Sequence, residues 1–203
     1  MLSPMDGPAR RESQVGARRE AILEAAKAAF FEDGYQLASM DRIAERAGTT
    51  KRTVYDHFKS KPALFAAVVE RGCGAMTAAL PAPEALPADP RLGLPTFAAK
   101  CVELAAAPAT VRLQRLVAAE AERHPQFAAR MREALAANEA KLAAYLAQSI
   151  ADGRLKPHDP ATAARALVGA MSEATALRGL FGAGPDLRAM ATVVELFLKA
   201  YAA

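Results

Sequence analysis

Apolar residues recur at intervals of three and four along most of this chain, and proline and glycine mark the places where the rhythm stops. In "RREAILEAAKAAFFEDGY", Ile22, Ala26, Ala29 and Phe30 fall on one helical face, and Gly34 follows as a stop. "SMDRIAERAG" predicts a short second helix with Ser39 as N-cap, Ile43 and Ala47 on its buried side and Gly48 at its end. A third helix starts after Thr49 or Thr50, with Val54 and Phe58 as its only firm apolar anchors. Ser60 caps a fourth, with Pro62 in the first turn, where a missing N–H costs nothing. Leu64, Phe65, Val68, Val69 and Met76 line this fourth helix. "PAPEALPADPRLGLP", residues 81 to 95, holds five prolines and reads as a connection. Further helices are expected over 96–106, 109–123, 126–152, 160–181 and 186–201, separated by Pro125, by Gly153 with Pro157, and by Gly182 through Pro185. The pattern predicts an all-α protein of nine helices, three short ones followed by a bundle.

Composition agrees with that reading. The chain of 203 residues is 52% hydrophobic and 24% charged. Alanine is abundant and β-branched residues are scarce, which favours helix over strand. The length suffices to bury a real core. No apolar run reaches about 18 residues, so no membrane span is expected. The opening "MLSPMDGPARRESQVGARRE" lacks the apolar core of a signal peptide, and a cytoplasmic protein is expected. Residues 1–14, rich in Pro, Gly, Ser and Arg, read as a flexible basic arm. Cys73 and Cys101 stand apart from each other and from histidine clusters, which argues against a metal site or a disulfide framework. Nothing resembles a nucleophile elbow, a metal cluster or a Gly-rich phosphate loop, so neither an enzyme nor a cofactor is expected.

The net charge of +4 says little, but its distribution says more. "TTKRTVYDHFKSK", residues 49 to 61, sets Lys51, Arg52, Lys59 and Lys61 against the single acid Asp56. At about 100° per residue, Val54 and Phe58 share the core face. Arg52, Thr53, Tyr55 and Asp56 sweep the opposite side, with Lys51 and His57 on the flanks. A solvated face with an Arg52–Asp56 pair is the plain alternative, and that order of charges is the weaker one. A short helix, a tight turn at Ala47–Gly48 and a second helix with a donor-rich face together describe a helix-turn-helix.

"REAILEAAKAAFFEDGYQLASMDRIAERAGTTKRTVYDHFKSKPALF", residues 19 to 65, closely resembles the DNA-binding domain of TetR-family transcriptional regulators, at spaced positions from Ile22 to Leu64. The resemblance implies a DNA-binding head over 15–62 and a ligand-binding and dimerisation domain over 63–203. It implies that Ser39, Lys51, Tyr55, His57 and Lys61 hold phosphate, and that Thr50, Arg52 and Thr53 meet base edges. At Arg52 the family often has glycine, and this chain offers a long bidentate donor in its place. The implied partner is a pseudo-palindromic double-stranded DNA operator gripped by a homodimer.

"RLVAAEAERHPQFAARMREALAANEAKLAAYLAQSIADGRL", residues 115 to 155, looks like the regulatory domain of AefR-like or AcrR-like members. Such domains hold a small-molecule effector among helices 4 to 8 and pair through helices 8 and 9. Candidate lining residues are Phe97, Cys101, Leu113, Val117, Phe127, Met131 and Met171, each of which also reads as plain core. Glu120 and His124, one turn apart, either orient a polar ligand or form a solvated pair. The last helix carries Leu187, Met190, Val194, Phe197 and Tyr201 at spacings of 3, 4, 3 and 4. Gly169 and Ala170 leave room for close approach on the preceding helix, so a two-fold four-helix interface is expected there. The expected activity is effector-released repression; an activator or a ligand-independent DNA binder would use the same reading head.

Overall fold

The computed structural model describes the backbone from Gly7 and the side chains from Glu12, through Ala203. Among the described residues nine helices follow one another: α1 (Gly7–Leu37), α2 (Met40–Arg46), α3 (Lys51–Phe58), α4 (Lys61–Ala79), α5 (Pro90–Ala106), α6 (Pro108–Glu120), α7 (Pro125–Ala151), α8 (Pro160–Ser172) and α9 (Leu187–Tyr201). Helix α8 runs on through a π-helical stretch, Glu173–Leu177, and a closing turn, Arg178–Leu180. Among the described residues the β pairing is one isolated bridge between Leu155 and Ala202.

Local chemistry explains the starts. Helices α5 to α8 each place proline in the first turn, where the ring fixes a helical φ and forfeits no internal bond. Asp89, Asp159 and Asp186 cap α5, α8 and α9 by accepting from backbone N–H groups of the first turn. The Asp89–Pro90 pair starts α5 inside the stretch expected as a connection, and Pro95 is carried within the helix. Helix α1 likewise begins at Gly7, inside the segment expected as an arm, because "ARRESQ" is built of good helix formers; residues 1–6 of that segment lie outside the described residues. Gly34 stops the helical path as expected, with φ of 75° and ψ of 171°, and the chain coils again beyond this kink to Leu37.

Two apolar clusters form the core. The first joins α1 to α4 and takes in Leu113 and Val117 from α6 and Phe127 from α7. The second unites α5, α7, α8 and α9 around Phe97, Leu142, Leu146 and Met171. Phe127 packs edge-on against Phe65 with centroids 4.7 Å apart and lies 5.7 Å from Tyr35, while Phe30 meets Phe65 at 4.9 Å. The three-helix head therefore shares its core with the bundle: one aromatic cluster serves both.

Candidate nucleic-acid interface

The reading helix is aimed by its caps. Ser39 Oγ accepts from Asp41 N at 3.2 Å and starts α2. Gly48, at φ 62°, turns the chain, and Thr49 N closes the turn on Ala44 O at 2.9 Å. Thr50 Oγ1 accepts from Thr53 N at 3.2 Å and starts α3. Val54 and Phe58 are buried on one side of α3 and pin it to the head. Lys59 takes the left-handed conformation at φ 62°, which an L residue adopts at a cost, and its N–H returns to Tyr55 O at 2.8 Å to end the helix. Ser60 then caps α4 through Ala63 N at 3.2 Å.

The outward face of α3 carries Thr50, Lys51, Arg52, Tyr55 and Asp56, all exposed, with Thr53 and His57 half-buried at the edges. Neighbouring cations are engaged: Lys51 pairs with Asp41 at 2.9 Å, Arg42 with Asp33 at 2.7 Å and Arg46 with Glu32 at 2.7 Å. The Asp41 carboxylate bonds to the Lys51 ammonium and raises its pKa above the ordinary lysine value. Among the described residues no ion pair involves Arg52, so the Arg52–Asp56 pairing does not form. Arg52 thus presents an uncommitted guanidinium near the centre of the face, the fork that matches a guanine edge or a phosphate. Lys61 is directed elsewhere: its ammonium donates to Gln36 O at 2.9 Å and lies 4.9 Å from the centre of the Tyr35 ring. Burial there holds its pKa below the usual lysine range.

That lysine belongs to a junction that periodicity does not reveal. Gln36 Nε2 donates to both oxygens of Glu120, at 2.9 and 2.7 Å, across the boundary between the head and α6. Glu120 is only 5% exposed, and His124 packs edge-on against Tyr35 at 5.1 Å and beside Phe127 at 5.0 Å. Burial, with the Glu120 carboxyl nearby, raises the Tyr35 pKa. The two residues expected either to orient a ligand or to form a solvated pair are therefore tied to the head. Gln36 lies two residues beyond the Gly34 kink.

Three adjacent cavities lie among α1 and α4 to α8. One, of about 310 Å³, is bounded by α1, α4, α5 and α6 and includes Leu113. A second, of about 480 Å³, lies between α6, α7 and the α8 continuation and includes Val117 and Met131. A small central one, of about 60 Å³, includes Cys101 and Met171 and shares Met76 and Leu104 with the first and Gln114, Leu135, Ser172 and Ala176 with the second. Phe97 and Phe127 are fully buried in the two cores. Gly72 allows α4 and α6 to touch, since a Cβ there would meet Leu113 Cδ2 at 2.5 Å.

The expected dimer stripe needs correction. Met190, Val194 and Phe197 are buried in their own chain's second core, and Tyr201 stacks on Phe197 at 4.9 Å, because a 3-4 seam fits an intramolecular neighbour as well as a partner. Of the other residues expected there, Gly169 and Leu187 are exposed and Ala170 is half-buried; Leu177, Phe181 and Leu196 are exposed as well, with Phe181 at 83% and Leu196 at 60%.

The family model for bacterial regulatory proteins of the tetR family matches residues 22–68, and the model for the AefR-like transcriptional repressor C-terminal domain matches residues 93–203. The HTH-type transcriptional activator FasR of Mycolicibacterium smegmatis is 48% identical over 54 residues, covering 27% of this chain and 25% of that protein. Among solved structures, a TetR-family transcriptional regulator from Mesorhizobium loti is 28% identical with a TM-score of 0.80, covering 93% of this chain and 98% of the other. The flavonoid-responsive regulator FrrA is also 28% identical, with a TM-score of 0.75 and coverages of 92% and 98%. The chain spans about a quarter of the length of FasR, whereas the structural likeness runs nearly end to end. Among the described residues no helix is long and apolar enough to cross a membrane. A capped helix-turn-helix on a nine-helix body, matched by both family models, makes this chain a TetR-family transcriptional regulator with an AefR-like C-terminal domain, not an enzyme.

Proposed function

We propose that this protein is an effector-responsive repressor that binds a pseudo-palindromic DNA operator as a homodimer, with α3 in the major groove. The observation that carries this reading is the outward face of α3, with the unpaired Arg52 flanked by Thr50, Thr53 and Tyr55 and braced from behind by Val54 and Phe58. Ser39, Lys51, Tyr55 and His57 flank that face and would hold phosphate. Lys61 joins them if its ammonium leaves Gln36 O.

Dimerisation is supported by the exposed apolar side chains Leu177 and Phe181, on and just after the α8 continuation, and Leu187 and Leu196 on α9, which a second copy would cover. Effector control is supported by the cavities and by the junction: α6 lines the cavities through Leu113 and Val117 and touches the head through Glu120. A ligand that moved α6 would strain the Gln36–Glu120 bonds and reorient the head, so DNA and effector would oppose each other reciprocally. FrrA, similar along nearly its whole length, is described as flavonoid-responsive, which favours effector control here too. FasR is described as an activator, and that specific likeness keeps activation as the second reading.

Selecting fragments of genomic DNA with the purified protein, then measuring transcription from a selected promoter in vitro, tests the proposal. Enrichment of a two-fold element, with transcription falling when protein is added, supports repression. Rising transcription supports the second reading, and fragments with no common element would remove the operator from the picture.

A further inference from the structure

The central cavity carries a specific chemical signature. Gln114 on α6 and Asn138 on α7 both line it, and the Oε1 of the one and the Oδ1 of the other are buried with no hydrogen-bond partner. Buried amide oxygens left unpaired are costly, and their usual remedy is a donor supplied from outside the chain. Of the two hydroxyl side chains that also line the cavity, Ser172 and Thr175, the latter spends its hydroxyl on Met171 O at 2.6 Å. No Asp, Glu, Lys or Arg lines this cavity. Burial pushes the Cys101 thiol on its wall up to about 12, the mark of a low-polarity surround. One wall is the π-helical stretch itself, through Thr175 and Ala176, and such widened turns recur at binding sites.

Charged residues border the flanking cavities, and Gln114 lines the second of these as well. Arg71 in the first is held by Glu20 at 3.0 Å and Glu24 at 2.6 Å. Arg132 and Glu173 border the second. A carboxylate or ammonium lodged in the central cavity would lose its hydration and find no counter-charge on that cavity's own wall.

We infer that the effector is a neutral, mainly apolar molecule bearing at least one hydroxyl, with its apolar body in the flanking cavities and the hydroxyl donating to Gln114 or Asn138. The inference rests on the effector-responsive reading above and adds the class of ligand. Buried water on the two amides is the competing account, and a 60 Å³ space would admit it.

Matched aromatic probes separate these accounts: 1-naphthol, naphthalene and 1-naphthoate, then 9-phenanthrol, phenanthrene and phenanthrene-9-carboxylate. Binding to the full chain is measured by equilibrium dialysis without DNA. In at least one set the hydroxylated probe is expected to bind about tenfold tighter than the hydrocarbon, and tighter still than the carboxylate. Gln114→Leu or Asn138→Leu should abolish most of that preference while hydrocarbon binding is kept. A carboxylate that binds best, no binding by either hydroxylated probe, or a preference unchanged in both variants would overturn the assignment. The wild-type comparison decides the matter even if a variant fails to fold. DNA binding is measured separately: an operator bound normally by a protein indifferent to the hydroxyl sinks the ligand class alone, whereas loss of any operator sinks the underlying reading.

Discussion

Replacing Gln36 with leucine removes the two hydrogen bonds that join the head to α6 and leaves the Glu120 carboxyl, 5% exposed, without its donor. Gln36 itself is exposed, so its amide loses little when the bond breaks; the cost falls on Glu120. Hydrogen bonds to such groups contribute about 1.5–3 kcal/mol net, and the two share one NH₂ donor, so Gln36→Leu should destabilise the protein by about 2 kcal/mol. Glu120→Leu removes the buried group together with its need and frees an exposed amide that water satisfies. Its cost should stay below about 1 kcal/mol. The double variant should then be no less stable than Glu120→Leu alone, giving a coupling of about 1–2 kcal/mol. Urea unfolding of all four proteins at one fixed concentration reads the cycle. The same proteins tested for operator release should show blunted effector response with base preference intact. A Gln36→Leu protein within about 0.5 kcal/mol of the parent, or strictly additive substitutions, would show that the contact is incidental and that coupling runs elsewhere.

Arg52→Ala should relax preference at one base pair in each half-site, at about 1–3 kcal/mol of discrimination, in gel-shift titrations against single-base operator variants; an equal loss on every sequence would move Arg52 to phosphate. Phe181→Glu, at a side chain 83% exposed, should leave the fold intact and yield monomers by light scattering, whereas Phe197→Glu should unfold the chain by charging its own core; a dimeric Phe181→Glu protein would relocate the interface. Cys101, whose folded pKa of about 12 exceeds its ordinary 9.0, contributes stability that is full below pH 9 and is lost as pH rises toward 12. Urea midpoints should accordingly fall above pH 9 more steeply in the parent than in Cys101→Ala, and alkylation of the folded protein at pH 8 should be slow; matching pH profiles would contradict the assigned burial.

The sequence by itself determined the elements and the reading head, because helix periods, caps and turn glycines are local. Ser39, Thr50 and Ser60 cap where their side chains reach the next turn's N–H groups, and Val54 with Phe58 orient α3 whatever the rest of the chain does. Asp89–Pro90 was equally legible as a helix start, though five prolines disguised it as a connection. Tertiary structure decided what periodicity leaves open, namely which neighbour each apolar face meets. The seam Met190–Val194–Phe197 has the spacing of an interface yet closes on its own bundle, and Leu187, Leu196 and Phe181 are left outside. It also decided the fate of polar side chains. Gln36 and Glu120 lie 84 positions apart and meet just beyond the Gly34 kink, where the folded chain brings α1 and α6 together. Gln114 and Asn138 differ from surface amides in sequence by nothing at all, and only tertiary packing buries their oxygens without a partner. Burial and pairing are sums over distant parts of the chain, and no local window contains them.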